Sequence, residues 1–339
     1  VQLASLWVTV ALLLGSAVVI YLSCEYFVNG VEWVGRKLSV GEKATGTVLA
    51  AFGTALPESV VTLVAVAFGT TAAAKDLGIG AALGGPLALA TIAYATVGIM
   101  LLLSRRHLAD TPAMRADLRR LSRDQGWFLA IFVVKIALGL VLFAVKPWLG
   151  LLFLAAYALY VRHEMQADND DEEEGALEPL HFQPRAETPG TAIAIVQTLA
   201  ALAVIFLASR LFVHQLEQLG PVLGLKPQLL ALLLSPIATE LPETMNAVIW
   251  VRQGKHRLAL ANISGAMMIQ ATIPTALGLF FTPWLLDRSL LLAAGVTATA
   301  IAILFAAFRG GWISRALLAS MGLLYAVFAG LLVVLHLGA

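Results

Sequence analysis

Residues 191–213, TAIAIVQTLAALAVIFLASRLFV, carry a single charge, Arg210, in a run long enough to cross a lipid bilayer as a helix. Lipid offers a backbone no hydrogen bonds, so such a run is confined to a helix that satisfies its own N–H and C=O groups. Comparable runs recur at 4–28, 43–69, 77–103, 126–145, 147–162, 227–251, 258–282, 289–308 and 314–337. The expected fold class is therefore an all-α polytopic membrane protein with ten transmembrane helices. Composition agrees: 60% of the 339 residues are hydrophobic and 13% charged, against roughly 25% charged in soluble domains.

Tryptophans mark the ends of these runs. Trp7, Trp33, Trp127, Trp148, Trp250, Trp284 and Trp312 fall where an amphipathic ring prefers the headgroup level. Most Lys and Arg, including Arg105, Arg106, Arg119, Arg252 and Arg257, crowd one set of alternate loops. The other set holds Lys75, Lys146, Lys226 and Arg288. The positive-inside rule then puts both termini on the non-cytoplasmic side of the plasma (inner) membrane. A net charge of +1 implies no nucleic-acid partner, and one cysteine, Cys24, allows no internal disulfide. The amino-terminal residues show no signal-peptide pattern.

Two stretches break the apolar pattern in the same way. FGTALPESVV (52–61) and SPIATELPET (235–244) place Thr54, Pro57 and Glu58 in the relation of Thr239, Pro242 and Glu243. An ionised group at a bilayer centre costs roughly 2.5–3.5 kcal/mol on insertion scales, so such residues mark function. A constant offset relates the surrounding positions, including Glu32 to Glu217 and Gly35 to Gly220, and a slightly smaller one relates LATI (89–92) to QATI (270–273). Five spans per half reverse the orientation of the second half, so the chain reads as two inverted repeats, 1–162 and 191–339. The prolines cannot close the helix ladder, and unwinding there would free carbonyls beside the threonines. Oxygen donors converging from two broken helices would suit a hard divalent cation.

Residues 163–190 carry a dense acidic run without apolar periodicity, and read as a solvated cytoplasmic linker. Lys135, inside FLAIFVVKIALGL, either pairs with a carboxylate, faces the protein interior or snorkels. Glu25 and Arg210, in equivalent positions near span ends, read as interfacial anchors.

The paired T-x-L-P-E resembles the alpha-repeats of the cation/calcium exchanger superfamily, which includes the sodium/calcium exchangers. The resemblance covers all ten spans and the central loop. It implies alternating access, with a divalent cation extruded against sodium or proton entry, and it assigns Thr54, Glu58, Thr239 and Glu243 to the central cation site. The sequence departs from the family pattern at several positions. The serine after each threonine is replaced by Ala55 and Glu240. The second-helix G-S is replaced by Gly84-Gly85 and Gly265-Ala266. An expected Asn or Asp is replaced by Leu89 and Gln270, and Asn262 has Ala81 as its counterpart. Hydroxyl donors expected around sodium are missing, and a carboxylate is added.

The resulting expectation is an antiporter exchanging a divalent cation, Ca²⁺ first, for protons. Glu58, Glu243, Thr54, Thr239 and Glu240 would hold the metal, and Gln270, Asn262 and Ser235 would be secondary polar ligands. Glu240 would be the first proton carrier, with Glu58 and Glu243 as alternatives, because clustered carboxylates cannot all stay ionised without metal. Sodium coupling through the same fold, or a channel-like or transport-dead relative, stays open. Neither H-E-x-x-H nor G-x-S-x-G occurs, so no hydrolase is expected, and no cofactor beyond the transported ions.

Overall fold

A computed structural model describes residues 2–37, 42–104, 112–167, 178–335 and 337. These residues are helical with no strand among them. The helices are α1 (Gln2–Lys37), α2 (Glu42–Ala67), α3 (Ala72–Ala88), α4 (Tyr94–Leu103), α5 (Pro112–Leu138), α6 (Gly150–Ala167), α7 (Thr191–Leu223), α8 (Pro227–Thr239), α9 (Leu241–Arg252), α10 (His256–Phe281), α11 (Arg288–Gly310) and α12 (Arg315–Val334). A π-helical turn, Leu89–Ala93, joins α3 to α4 without a break in direction. Each of the ten stretches expected from the sequence overlaps a helix, 126–145 only as far as Leu138. Among the described residues, six stretches are long and apolar enough to cross a membrane: Leu6–Arg36, Ala72–Leu103, Thr191–Leu223, His256–Phe281, Arg288–Gly310 and Arg315–Val334.

The two halves interlock. α2 packs on α10 and α8 on α3; α4 packs on α12 and α10 on α6; α1 lies along α7 and α5 along α11. α3 and α10 form the interior, while α1 and α7 expose apolar side chains such as Trp7, Val18, Val196 and Leu207 along their outer faces. Glu25 and Arg210 are exposed as well. The α3–α8 contact is close because of Gly80 and Gly84. A Cβ on Gly80 would stand 2.0 Å from Gln228 C=O, and one on Gly84 2.6 Å from Leu232 C=O. Small residues four apart let two backbones approach in this manner, and that approach carries α8's carboxyl end to the centre.

Three expectations are corrected. The first concerns the helix breaks. α2 runs unbroken through Pro57, whereas the second half breaks between α8 and α9 at Glu240. A single proline removes one ladder bond and a helix can absorb it; Pro236 and Pro242 stand within two turns of each other, and there the helix ends and restarts. Second, α5 begins at Pro112 rather than near 126 and stops at Leu138 rather than 145. The chain leaves it where Gly139 C=O accepts from Leu286 N–H at 3.0 Å.

The third correction concerns the linker. α6 continues to Ala167 and residues 168–177 lie outside the described residues; 178–182 are anchored to the helices through Leu180 and backbone hydrogen bonds, while most of 183–190 stays exposed. Leu180 is fully buried with Trp33 and Ala194. Trp33 Nε1 donates to Glu178 C=O at 2.9 Å, Phe182 N–H to Gln197 Oε1 at 2.8 Å and His181 N–H to Asn29 Oδ1 at 3.1 Å. Gln197 Nε2 in turn donates to Asn29 Oδ1 at 3.0 Å, so this segment straps α1 to α7. Deleting 168–177 should leave ion flux and thermal stability unchanged. Leu180→Ala should instead cost about 2–4 kcal/mol, the usual range for truncating a buried leucine. Thermal unfolding of the two purified variants checks the contrast.

Candidate functional site

The break at Glu240 builds the site. Glu240 adopts φ −100°, ψ 0°, off the helical path, so Thr239 and Glu240 do not diverge as neighbours on a regular helix would. Both turn into the interior, where Thr239, Glu240, Glu58, Gln270 and Ser235 are buried. Thr239 Oγ1 lies 2.7 Å from Glu58 Oε2 on α2, 2.9 Å from Glu240 Oε1 and 3.2 Å from Ser235 C=O. Gln270 Nε2, on α10, donates to Glu240 Oε2 at 2.6 Å. Helices from both halves thus meet around one threonine.

Proton counting constrains this arrangement. A hydroxyl has one proton to donate. Two carboxylate oxygens within hydrogen-bond distance of the same Thr239 oxygen cannot both be its acceptors. For both contacts to be hydrogen bonds, one carboxyl must carry a proton of its own and donate it to Thr239. With the Ser235 carbonyl, three oxygens surround a hydroxyl that has one proton to give.

Buried acceptors are also in excess. Glu58 Oε1, Gln270 Oε1 and Ser235 Oγ are buried without a hydrogen bond. Each such group costs about 1–3 kcal/mol, more when charged, unless something supplies positive charge. Gly85 is part of the enclosure. A Cβ there would come within 2.6 Å of Gln270 Oε1 and 3.0 Å of Glu240 Oε1, so a serine at this position, as in the family pattern, would have to displace those side-chain ends.

The remaining expected residues lie as follows. Glu243 is buried in the first turn of α9, where helix N–H groups favour an anion. Among the described residues no group of three or more His, Cys, Asp or Glu could hold a metal by itself, so Glu243 does not join Glu58 and Glu240 in one three-carboxylate group. Asn262 is half-buried on α10, with its Nδ2 making no hydrogen bond. Thr54 belongs to α2, but its side chain lies outside the described residues. Lys135 does not snorkel; it is fully buried.

A second buried polar cluster was missed by sequence reasoning. Gln125 Nε2 on α5 donates to Tyr94 OH at 3.0 Å and to Ser264 Oγ at 3.1 Å, and Ser264 Oγ reaches Asp124 Oδ2 at 3.4 Å. The adjacent polar pair Asp124-Gln125, directly before Gly126 and Trp127, was the available signal. The run expected at 126–145 starts just after this pair, whereas α5 begins at Pro112 and includes it.

Fold and site together define a class: a polytopic helical membrane protein with a carboxyl pair enclosed between its two halves. The family model described as "Sodium/calcium exchanger protein" matches residues 8–165 and 193–334, and the chain belongs to that family. The unmatched gap contains most of the linker. Inner membrane protein YrbG of Escherichia coli (strain K12) is 27% identical over 285 residues, covering 82% of this chain and 81% of that protein. CaxA of Alkalimonas amylolytica, whose name marks it as a candidate antiporter, is 27% identical over 331 residues, covering 91% of this chain and 92% of that protein. Among solved structures, the H⁺/Ca²⁺ exchanger CAX superposes with a TM-score of 0.66 at 15% identity, covering 96% of this chain and 88% of that one. The sodium-calcium exchanger NCX_Mj superposes at 0.59 and 17% identity, covering 96% and 99%. At these identities the two structures establish the fold alone.

Proposed function

We propose that the chain is a secondary antiporter exchanging a divalent cation, Ca²⁺ first, for protons by alternating access. Its ten helical stretches cross the inner membrane as two inverted five-helix repeats, 1–162 and 191–339, with both termini on the non-cytoplasmic side. The reciprocal packing of α2 on α10 and α8 on α3 supports the repeat reading. Glu58, Glu240 and Thr239 hold the cation, with Gln270 and Ser235 oxygens beside them; Thr54 and Glu243 belong to the same two T-x-L-P-E elements, and Glu243 serves the ion's path from outside that carboxyl pair. The observation that carries this reading is Thr239. Its hydroxyl lies between two buried carboxyls, so the site holds either a proton or a cation that replaces it. Oxygen donors and no His or Cys suit a hard ion such as Ca²⁺, Mg²⁺ or Mn²⁺ rather than zinc.

Sodium coupling is the second reading, supported by the likeness to NCX_Mj. Purified protein in liposomes, offered a panel of divalent ions under an outward proton gradient or an outward sodium gradient, separates the two. The expected result is saturable Ca²⁺ uptake driven by protons without sodium. Uptake driven by sodium alone would establish the second reading, and ohmic conductance or no flux would refute antiport.

A further inference from the structure

Lys135 stands near the end of α5 with its side chain fully buried, and the exchange cycle above gives it no task. Its Nζ donates to Ala82 C=O on α3 at 2.8 Å. That carbonyl is available because the residue four further on is Pro86, which has no N–H to return to it. The rings of Phe132 and Trp284 flank the ammonium, with centroids 5.4 and 5.9 Å away. Trp284 is itself held, its Nε1 donating to Lys135 C=O at 3.1 Å. Glu58 acts on Lys135 through space, with no hydrogen bond or direct ion pair between them. Ala82 lies one helical turn before Gly85, and Gly85 abuts Gln270 and Glu240. The carbonyl that the ammonium caps, on Ala82, and the glycine that abuts Glu240, Gly85, thus lie on one turn of α3.

Capping Ala82 does not call for a charge. A neutral donor would satisfy that carbonyl, and burying an ammonium is far costlier than burying an amide. The charge has to be matched by something, and Glu58 is the group that matches it.

We propose that Lys135 is a resident cation of the transport site: it offsets Glu58 when the divalent ion is away and repels that ion when it is bound, keeping affinity low enough for release. This rests on the exchange reading above. A fixed positive charge acts twice as strongly on a divalent as on a monovalent ion, so its removal should show most clearly in Ca²⁺ affinity. Exchange of labelled against unlabelled Ca²⁺ across liposomes reads that affinity whatever the coupling ion. Lys135→Gln keeps a donor for Ala82 but removes the charge; Lys135→Met removes both; Lys135→Arg keeps the charge. Gln and Met should lower the half-saturating Ca²⁺ concentration by about tenfold or more and slow the maximal rate. Arg should stay near the unaltered protein. An unchanged half-saturation in Lys135→Gln, with only the Met variant thermally weakened, would show a carbonyl cap and overturn the proposal. Should Lys135→Gln fail to fold, the unfolding temperature of the double variant with Glu58→Gln decides: recovered folding supports the charge pair, and no recovery overturns it. If the unaltered protein exchanges no Ca²⁺, the exchange reading itself fails.

Discussion

Glu58→Gln is expected to abolish divalent flux, lowering uptake by about 100-fold or more, which corresponds to a loss of about 2.8 kcal/mol at ~1.4 kcal/mol per decade. Glutamine matches glutamate in shape, so Thr239 can still donate to the side-chain oxygen at position 58, and the fold should persist. The negative charge is lost, however, as is one of two carboxyls that face each other across Thr239. No other residue can supply them, because Glu58 is fully buried and water has no access to its place. Glu58→Asp keeps the charge on a shorter stem and should retain partial flux with a raised half-saturating concentration. Glu243→Gln is expected to be similarly severe, through the first turn of α9 rather than through Thr239. The comparison requires matched expression and unfolding temperature, since an empty membrane would give the same zero. Near-normal flux in both Gln variants would show that the cation binds elsewhere.

Much of this fold was legible in the sequence because the bilayer imposes a length on each helix, and a run of apolar residues reports that length directly. What stayed hidden depends on tertiary partners. The linker's packing on α1 and α7 uses backbone groups of 178–182 against Asn29, Trp33 and Gln197, far away in the chain. Nothing local distinguishes such a strap from a tether, and the acidic run beside it points the other way. The two T-x-L-P-E copies suggested matching helix breaks, yet only the second copy has another proline six residues upstream, Pro236, and only there does the helix end. Glu240 shows the same limit. An adjacent pair on a regular helix diverges by ~100°, which would send Thr239 and Glu240 to different faces; the break at Glu240 brings them to one. Lys135 was visible as an anomaly, but its acceptor, Ala82, is defined by a proline on another helix.

Glu240→Gln is expected to separate proton coupling from cation binding. On the proposed exchange reading, a proton and a divalent ion compete for the same two carboxyls, because the Thr239 hydroxyl cannot donate to both oxygens. Lowering the pH should then raise the half-saturating Ca²⁺ concentration, and raising it should do the reverse. An amide at 240 can donate to Thr239 permanently, filling the place of the shared proton without titrating. The oxygen of that amide takes the place of Glu240 Oε2 and goes on accepting from Gln270 Nε2, a contact of 2.6 Å in the unaltered protein. The variant should therefore fold, bind the cation more weakly through the lost charge, and show little change in half-saturation with pH. Uptake driven by an outward proton gradient should fall by about tenfold or more, roughly 1.4 kcal/mol, while exchange of Ca²⁺ against Ca²⁺ falls less. Glu240→Asp should restore the pH dependence in part. If sodium alone drives uptake in the unaltered protein, and Glu240→Gln leaves both that uptake and its pH profile as they were, the proton held at Thr239 belongs to folding and not to transport.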